Sequence, residues 1–181
     1  MTRRLLTALM ALTLTWPVFA GTLAGVTLPD TLDVGGQKLV LNGLGLREKY
    51  FIDIYVGGLY LPQKTTDSAK AIQDDVPKRI TMQFTYDLSA EKLGETMRES
   101  ISRSKADGVA EKADTLASWM EDVVPGDQVV LEYVPGQGTS VIVKGKTKGT
   151  VEGVNFMRAI FDIYLGANPP TSALKKGMLG L

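Results

Sequence analysis

The stretch GLGLREKYFIDIYVGGLYLP, residues 43 to 62, limits what this chain can fold into more than any other part of it. It is apolar and rich in aromatic residues, a pattern that reads as strand. Side-chain alternation puts Phe51, Asp53 and Tyr55 on one face and Ile52, Ile54 and Val56 on the other. Both faces therefore demand burial, which predicts a strand in the interior of a sheet. Arg47 is the one arginine in the stretch, a cation set among apolar neighbours. A guanidinium aimed into an apolar environment is a candidate site.

The flanking sequence supplies the rest of such a sheet. Gly35-Gly36 lies between Leu32-Asp33-Val34 and Lys38-Leu39-Val40-Leu41, the pattern of a two-residue hairpin whose turn needs positive φ. Pro62 ends the central run, and Asp67 is placed to cap a short helix. From Arg79 to Tyr86, Ile80, Met82 and Phe84 alternate with Thr81, Gln83 and Thr85, which predicts a strand with one wet face. The period then changes. Ser89 is the predicted N-cap of a helix with Leu88 and Leu93 as a hydrophobic staple and Leu93, Met97 and Ile101 on its buried side.

After a break at Asp107-Gly108, Val109, Ala113, Leu116, Met120 and Val123 predict a second helix that Pro125-Gly126 stops. Residues 128 to 134 and 139 to 143 read as a hairpin, with a short strand near 149 to 151. Residues 154 to 165 read as a helix ended by Gly166, and residues 172 to 176 as a last short one. Strands grouped with strands and helices with helices indicate α+β, an antiparallel sheet packed against a layer of helices.

Composition removes most chemistries. The 181 residues include neither histidine nor cysteine, which excludes Ser-His-Asp and Cys-His triads and any metal site built on imidazole or thiolate. Asp74-Asp75 alone is too little for a calcium site. No catalytic residue, metal or cofactor is expected. The opening MTRRLLTALMALTLTWPVFA has the basic start, apolar run and small-residue end of a secretory signal peptide. The reading is a signal peptide over 1–20 and one domain over 21–181, periplasmic or secreted, with no integral membrane domain after cleavage. Removing residues 1–20 takes Arg3 and Arg4 from 20 basic residues and none from 20 acidic ones, leaving −2. That balance gives no electrostatic case for nucleic acid.

Three local motifs have ordinary explanations. Ser89-Ala-Glu-Lys92 matches the S-x-x-K of serine acyl enzymes, but Ser89 stands where a helix needs its cap. Gly43-Leu-Gly45 lacks the third glycine and the following helix of a nucleotide loop. Lys144 to Lys148 reads as a solvated strand end or turn. Arg47 has two readings: a surface residue, free or paired with Glu48, Asp53 or Asp162, or a guanidinium gripping a carboxylate or enolate oxygen at the end of an apolar cavity. With the turn centred between residues 49 and 50, Arg47 faces Ile52, and Tyr55 is within reach only through twist or a bulge.

The blocks GLGLREKYFIDIYVGGLYLP, DLSAEKLGETM at 87–97 and GVNFMRAIFDIYLG at 153–166 resemble the chalcone isomerase-like proteins, in particular their small exported bacterial branch. The resemblance implies an open-faced β-sandwich with a ligand cleft between sheet and helices. In the plant isomerases of that family the arginine matching Arg47 stabilises the oxyanion formed on ring closure. Here Arg47 and Lys92 persist, whereas Tyr55, Ser89, Thr96, Ile163 and Tyr164 replace the family's other substrate-facing residues.

An arginine and a tyrosine at 47 and 55 look instead like the fatty-acid-binding members, in which the pair holds a carboxylate. The expected ligand is thus a small amphipathic carboxylate. The expected ligand-binding residues are Arg47, Tyr55, Thr96 and Tyr164, with Met97, Met120 and Phe156 as cavity wall. Two alternatives stand beside it: an isomerase or intramolecular lyase acting on an enone with Arg47 as electrophile, and a structural or interaction protein of the cell envelope whose cleft is filled. The sequence identifies no protein partner.

Overall fold

A computed structural model describes residues 20–102 and 109–181. The leader expected over residues 1–20, apart from its last residue, and the break at Asp107-Gly108 lie outside the described residues. Strands β1 (Ala20–Leu23) and β2 (Val26–Pro29) form a separate hairpin. Strands β3 (Thr31–Val34), β4 (Gln37–Lys49), β5 (Ile52–Leu61), β6 (Lys78–Phe84), β7 (Gln128–Val134), β8 (Gly138–Val143) and β9 (Lys146–Val151) follow one another in a seven-stranded sheet. Every adjacent pair is antiparallel. The predicted Gly35-Gly36 hairpin is present, with φ of 57° and 77°. The predicted interior strand is β5, hydrogen-bonded to β4 and β6 and buried from Ile54 to Leu61.

Helices α1 (Ser68–Gln73), α2 (Ala90–Ser102), α3 (Ala113–Ser118), α4 (Val154–Leu165) and α5 (Ser172–Met178) complete the chain. Leu59, Ile80, Met82 and Phe84 of the sheet share one apolar core with Met97, Ile101, Leu116, Ile160 and Leu174 of the helices. On the opposite face Val26 and Leu28 of the small hairpin pack on Val56. There the sheet also curls until Val134 of β7 meets Val34, Leu39 and Tyr60. This is the expected α+β open-faced β-sandwich.

Both predicted caps form. The Asp67 carboxylate accepts from the amides of Ala69 and Lys70 at 2.8 and 3.1 Å, and Ser89 Oγ accepts from the Lys92 amide at 3.2 Å. The S-x-x-K motif is thus a helix start, and its lysine pairs with Glu95 at 2.9 Å. Lys78, fully buried, donates to the Ala71 carbonyl near the end of α1 at 2.7 Å and lies 5.3 Å from the centre of the Phe161 ring.

The helix expected to run to Pro125 is shorter. A single 3-10 turn at Ala110–Lys112 leads into α3, which stops at Ser118. Beyond it the amides and carbonyls of Leu88 and Val123 exchange two hydrogen bonds, at 3.0 and 2.9 Å. Val109, Ala113, Leu116, Met120 and Val123 are all buried, so the apolar spacing was right about the inward face and wrong about helix length. The ring of Trp119 lies on Gly149, where a Cβ would come within 2.3 Å of Cζ2. Strand β9 is longer than expected: Lys144 and Gly145 make the turn, and Lys146 to Lys148 begin the strand, with Lys148 paired to Glu121.

The two glycines of GLGL are explained by α5. A Cβ on Gly45 would lie 2.0 Å from the Leu174 carbonyl oxygen, and one on Gly43 would lie 2.2 Å from that of Gly177. The helix backbone therefore rests directly on the strand backbone. Asn42 fastens the contact by donating to the Met178 carbonyl at 2.8 Å and to the Thr65 carbonyl at 3.0 Å. Because the obstructing atoms are backbone, relief requires α5 to lift. Gly45→Ala is expected to destabilise the fold by about 1–3 kcal/mol or more, read as a lower urea midpoint. An unchanged midpoint would show that α5 is not seated as described.

Candidate functional site

Side chains on β4 alternate, so Gly43, Gly45 and Arg47 form one row facing the helices while Leu44 and Leu46 face the small hairpin. Arg47 is the first position in that row beyond the part that α5 covers. The β4–β5 turn falls at Tyr50-Phe51, one residue later than expected, and Lys49 stands opposite Ile52. Glu48 pairs with Asp53, and the register then slips so that Arg47 pairs with Tyr55. Ile54 is the extra residue of a β-bulge. The bulge suspends strict alternation, so Ile54 and Tyr55, expected on opposite faces, both line the same cleft.

That cleft has two connected parts. The inner chamber, about 110 Å³, is walled by Ile54, Met82, Phe84, Leu93, Met97 and Met120 among others. The outer mouth, about 420 Å³, is bordered by Glu99, Asp162 and Asn168. Arg47, Lys49, Lys92, Thr96 and Ile163 belong to both. The space beside Arg47 is therefore open rather than filled by side chains. Met97 and Met120 stand in the wall as expected, but Phe156 does not. It is 4% exposed and packed inside the core, because its place on α4 points it under the helix layer instead of toward the cleft.

The four expected binding residues converge on this cleft. The Arg47 guanidinium carbon lies 5.8 Å from the centre of the Tyr55 ring, so the cation packs on that ring. Phe84 meets the same ring edge-on, with centroids 5.5 Å apart. Arg47 Nε is buried and has no hydrogen-bond partner. Among the described residues no carboxylate comes within 4.0 Å of Arg47, so the pairing with Glu48, Asp53 or Asp162 considered from sequence does not form.

Burial drives the Tyr55 phenol far above its ordinary range; the neighbouring Tyr164 adds to the rise and Arg47 offsets part of it. Burial likewise pushes Tyr164 up to about 12 against the pull of Arg47. Both phenols thus stay protonated and able to donate. Thr96 differs: its hydroxyl donates to the Lys92 carbonyl at 2.9 Å, which leaves its oxygen as an acceptor toward the cleft. A cation and two neutral O–H donors at the end of an apolar chamber can hold an anionic oxygen. No carboxylate lines the inner chamber among the described residues.

Sequence reasoning missed Met82, Phe84 and Leu88 as lining residues. The register carries the missing signal, since Tyr55 pairs with Phe84 and the dry face of β6 continues through Met82.

Residues 20–180 match the family described as chalcone isomerase-like, and the chain belongs to that family. Among solved structures it is similar to the crystal structure of an Arabidopsis thaliana fatty-acid binding protein. The TM-score is 0.73 at 20% identity, over 89% of this chain and 96% of that one. At that identity the likeness shows a common fold. None of the curated proteins matches the chain.

An unpartnered buried donor weakens a fold by about 1–3 kcal/mol. Arg47→Met, which keeps most of the side-chain volume, is therefore expected to raise the urea midpoint of the ligand-free protein. A fall in the midpoint would mean that the guanidinium is satisfied in solution.

Proposed function

We propose that this protein is an exported, non-catalytic binder of a fatty acid or similar amphipathic carboxylate. The head group lies against Arg47, with Tyr55 and Tyr164 as further donors and Thr96 on the wall beside them. The chain enters the space between Met82, Phe84, Met97 and Met120. The observation that carries this reading is the buried, unpartnered Arg47 Nε at the polar end of an apolar chamber. A carboxylate would supply the missing acceptor. The fatty-acid binding protein with the same fold supports the choice of ligand class.

The leader pattern of residues 1–20 supports export, to the periplasm or outside the cell, and membership of the exported bacterial branch. Among the described residues no helix is long and apolar enough to cross a membrane.

Delipidated protein mixed with saturated fatty acids is expected to give one-to-one adducts in native mass spectrometry. Loss of a charged hydrogen-bonding group costs about 1.5–3 kcal/mol, so Arg47→Ala is expected to weaken binding roughly 10- to 100-fold. No adduct at any chain length would refute the proposal.

The phenol shifts give a second expectation. Because burial pushes Tyr164 up to about 12 and Tyr55 far above its ordinary range, neither loses its proton as pH rises to 10. Affinity measured by calorimetry is expected to be level from pH 6 to 10, then to fall below about pH 5 as the ligand carboxylate itself is protonated. A midpoint between pH 7 and 10 would place another titrating group in the site.

A further inference from the structure

Among the described residues, the large apolar side chains that remain exposed are unevenly placed: apart from Leu181, all lie at one end of the sheet. Tyr50, Phe51 and Ile52, at the tip of the β4–β5 hairpin, are 82%, 97% and 41% exposed. Tyr86 and Val124, also exposed, lie in the loops at the same end of the sheet. There the Thr85 amide bonds to the Ile54 carbonyl at 3.0 Å, and the Gly126 amide to that of Phe84 at 2.9 Å. The cleft opens at this end too: Lys49, which lines both of its parts, holds its ammonium 5.5 Å from the centre of the Tyr50 ring.

The tip is also conformationally demanding. Tyr50 and Phe51 both adopt left-handed backbone, with φ of 51° and 64°. A two-residue turn of this kind favours Asn-Gly, and bulky residues are strained in it. Two aromatic side chains are thus held at the apex of a hairpin where neither burial nor turn geometry calls for them.

We propose that this rim docks on a lipid bilayer, with Tyr50 and Phe51 entering the interface and the cleft mouth facing the lipid. The inference rests on the proposed ligand class, since an amphipathic carboxylate partitions into bilayers and a bilayer is its natural reservoir. Aromatic side chains favour the membrane–water interface. A protein partner fits less well. Tyr50 and Phe51 project from a hairpin apex, a convex shape that suits insertion into an interface better than the broad patch of ~800 Å² per partner that a stable protein contact buries. The charges beside the tip, Glu48, Lys49 and Asp53, leave no basic collar. Docking on zwitterionic lipid, insensitive to salt, is the form that fits.

The absence of cysteine allows a direct test. The full chain carrying Phe51→Cys, or Gln137→Cys in the loop at the opposite end of the sheet, is labelled with the environment-sensitive dye NBD and mixed with phosphatidylcholine vesicles. Label at residue 51 is expected to shift to the blue and to be quenched by nitroxide lipids, and label at 137 to do neither. Tyr50→Asn combined with Phe51→Gly relieves the turn and should leave the fold intact. It is expected to slow fatty-acid uptake from vesicles at least 10-fold without changing affinity for dodecanoate supplied in solution.

A silent label at 51, equal responses from both labels, or unchanged uptake overturns the docking. So does a dimer abolished by the double substitution, which would make the tip a contact between copies. A vesicle response from residue 51 in a chain that forms no fatty-acid adduct sustains the docking and removes the ligand reading instead.

Discussion

The contact on which the rest of the molecule depends is backbone on backbone: α5 lying across β4 at Gly43 and Gly45. Elements stacked on a sheet are ordinarily held off it by a layer of side chains, as in face-to-face sheets about 10 Å apart. Here that layer is absent from one row of the strand. The helix seals the sheet over two residues, and the first side chain able to emerge in the same row is Arg47. Pro170, two residues before α5, then borders both Arg47 and the cleft. The place where the cleft opens is thus set by where a helix can lie flat, and a guanidinium stands at that threshold.

The second determinant is the bulge between Arg47 and Glu48. Regular pairing would send Ile54 or Tyr55, but not both, toward the helices. The extra residue delivers an apolar wall and a phenol to the same chamber and sets the Tyr55 ring beneath the cation. Burial then keeps both phenols neutral, so two proton donors stand beside the Arg47 cation, with Lys49 and Lys92 farther along the lining. This set suits an anionic oxygen.

Much of the fold was legible because local rules and tertiary demands agree. The Gly35-Gly36 turn, the Asp67 and Ser89 caps and the apolar rows of α2 and α4 are each decided within a few residues. The misses share a different cause. Gly43-Leu-Gly45 carries no local meaning, because the atoms that forbid a Cβ belong to residues 174 and 177. The helix expected to reach Pro125 ends at Ser118 because Leu88 offers Val123 a strand partner from another part of the chain. Phe156 has the right character for a cavity wall and the wrong direction. Of the site itself, Arg47, Tyr55, Thr96 and Tyr164 were brought together by family resemblance, while the slip that makes Arg47 and Tyr55 partners required the sheet.

The order of the seven strands is the order of the chain, each pairing with the one made just before it. A polypeptide emerging from its N-terminus can extend such a sheet in order, with one long wait, between β6 and β7, while α2 and α3 are made. The cleft obeys another clock. Its walls include Ile163, Tyr164 and Pro170, and its threshold exists only once the helix carrying Leu174 and Gly177 has settled on β4. The part of the chain that seals the cleft is thus among the last to be made, so a chain cut short before α5 lacks both the helix that rests on β4 and the threshold of the container.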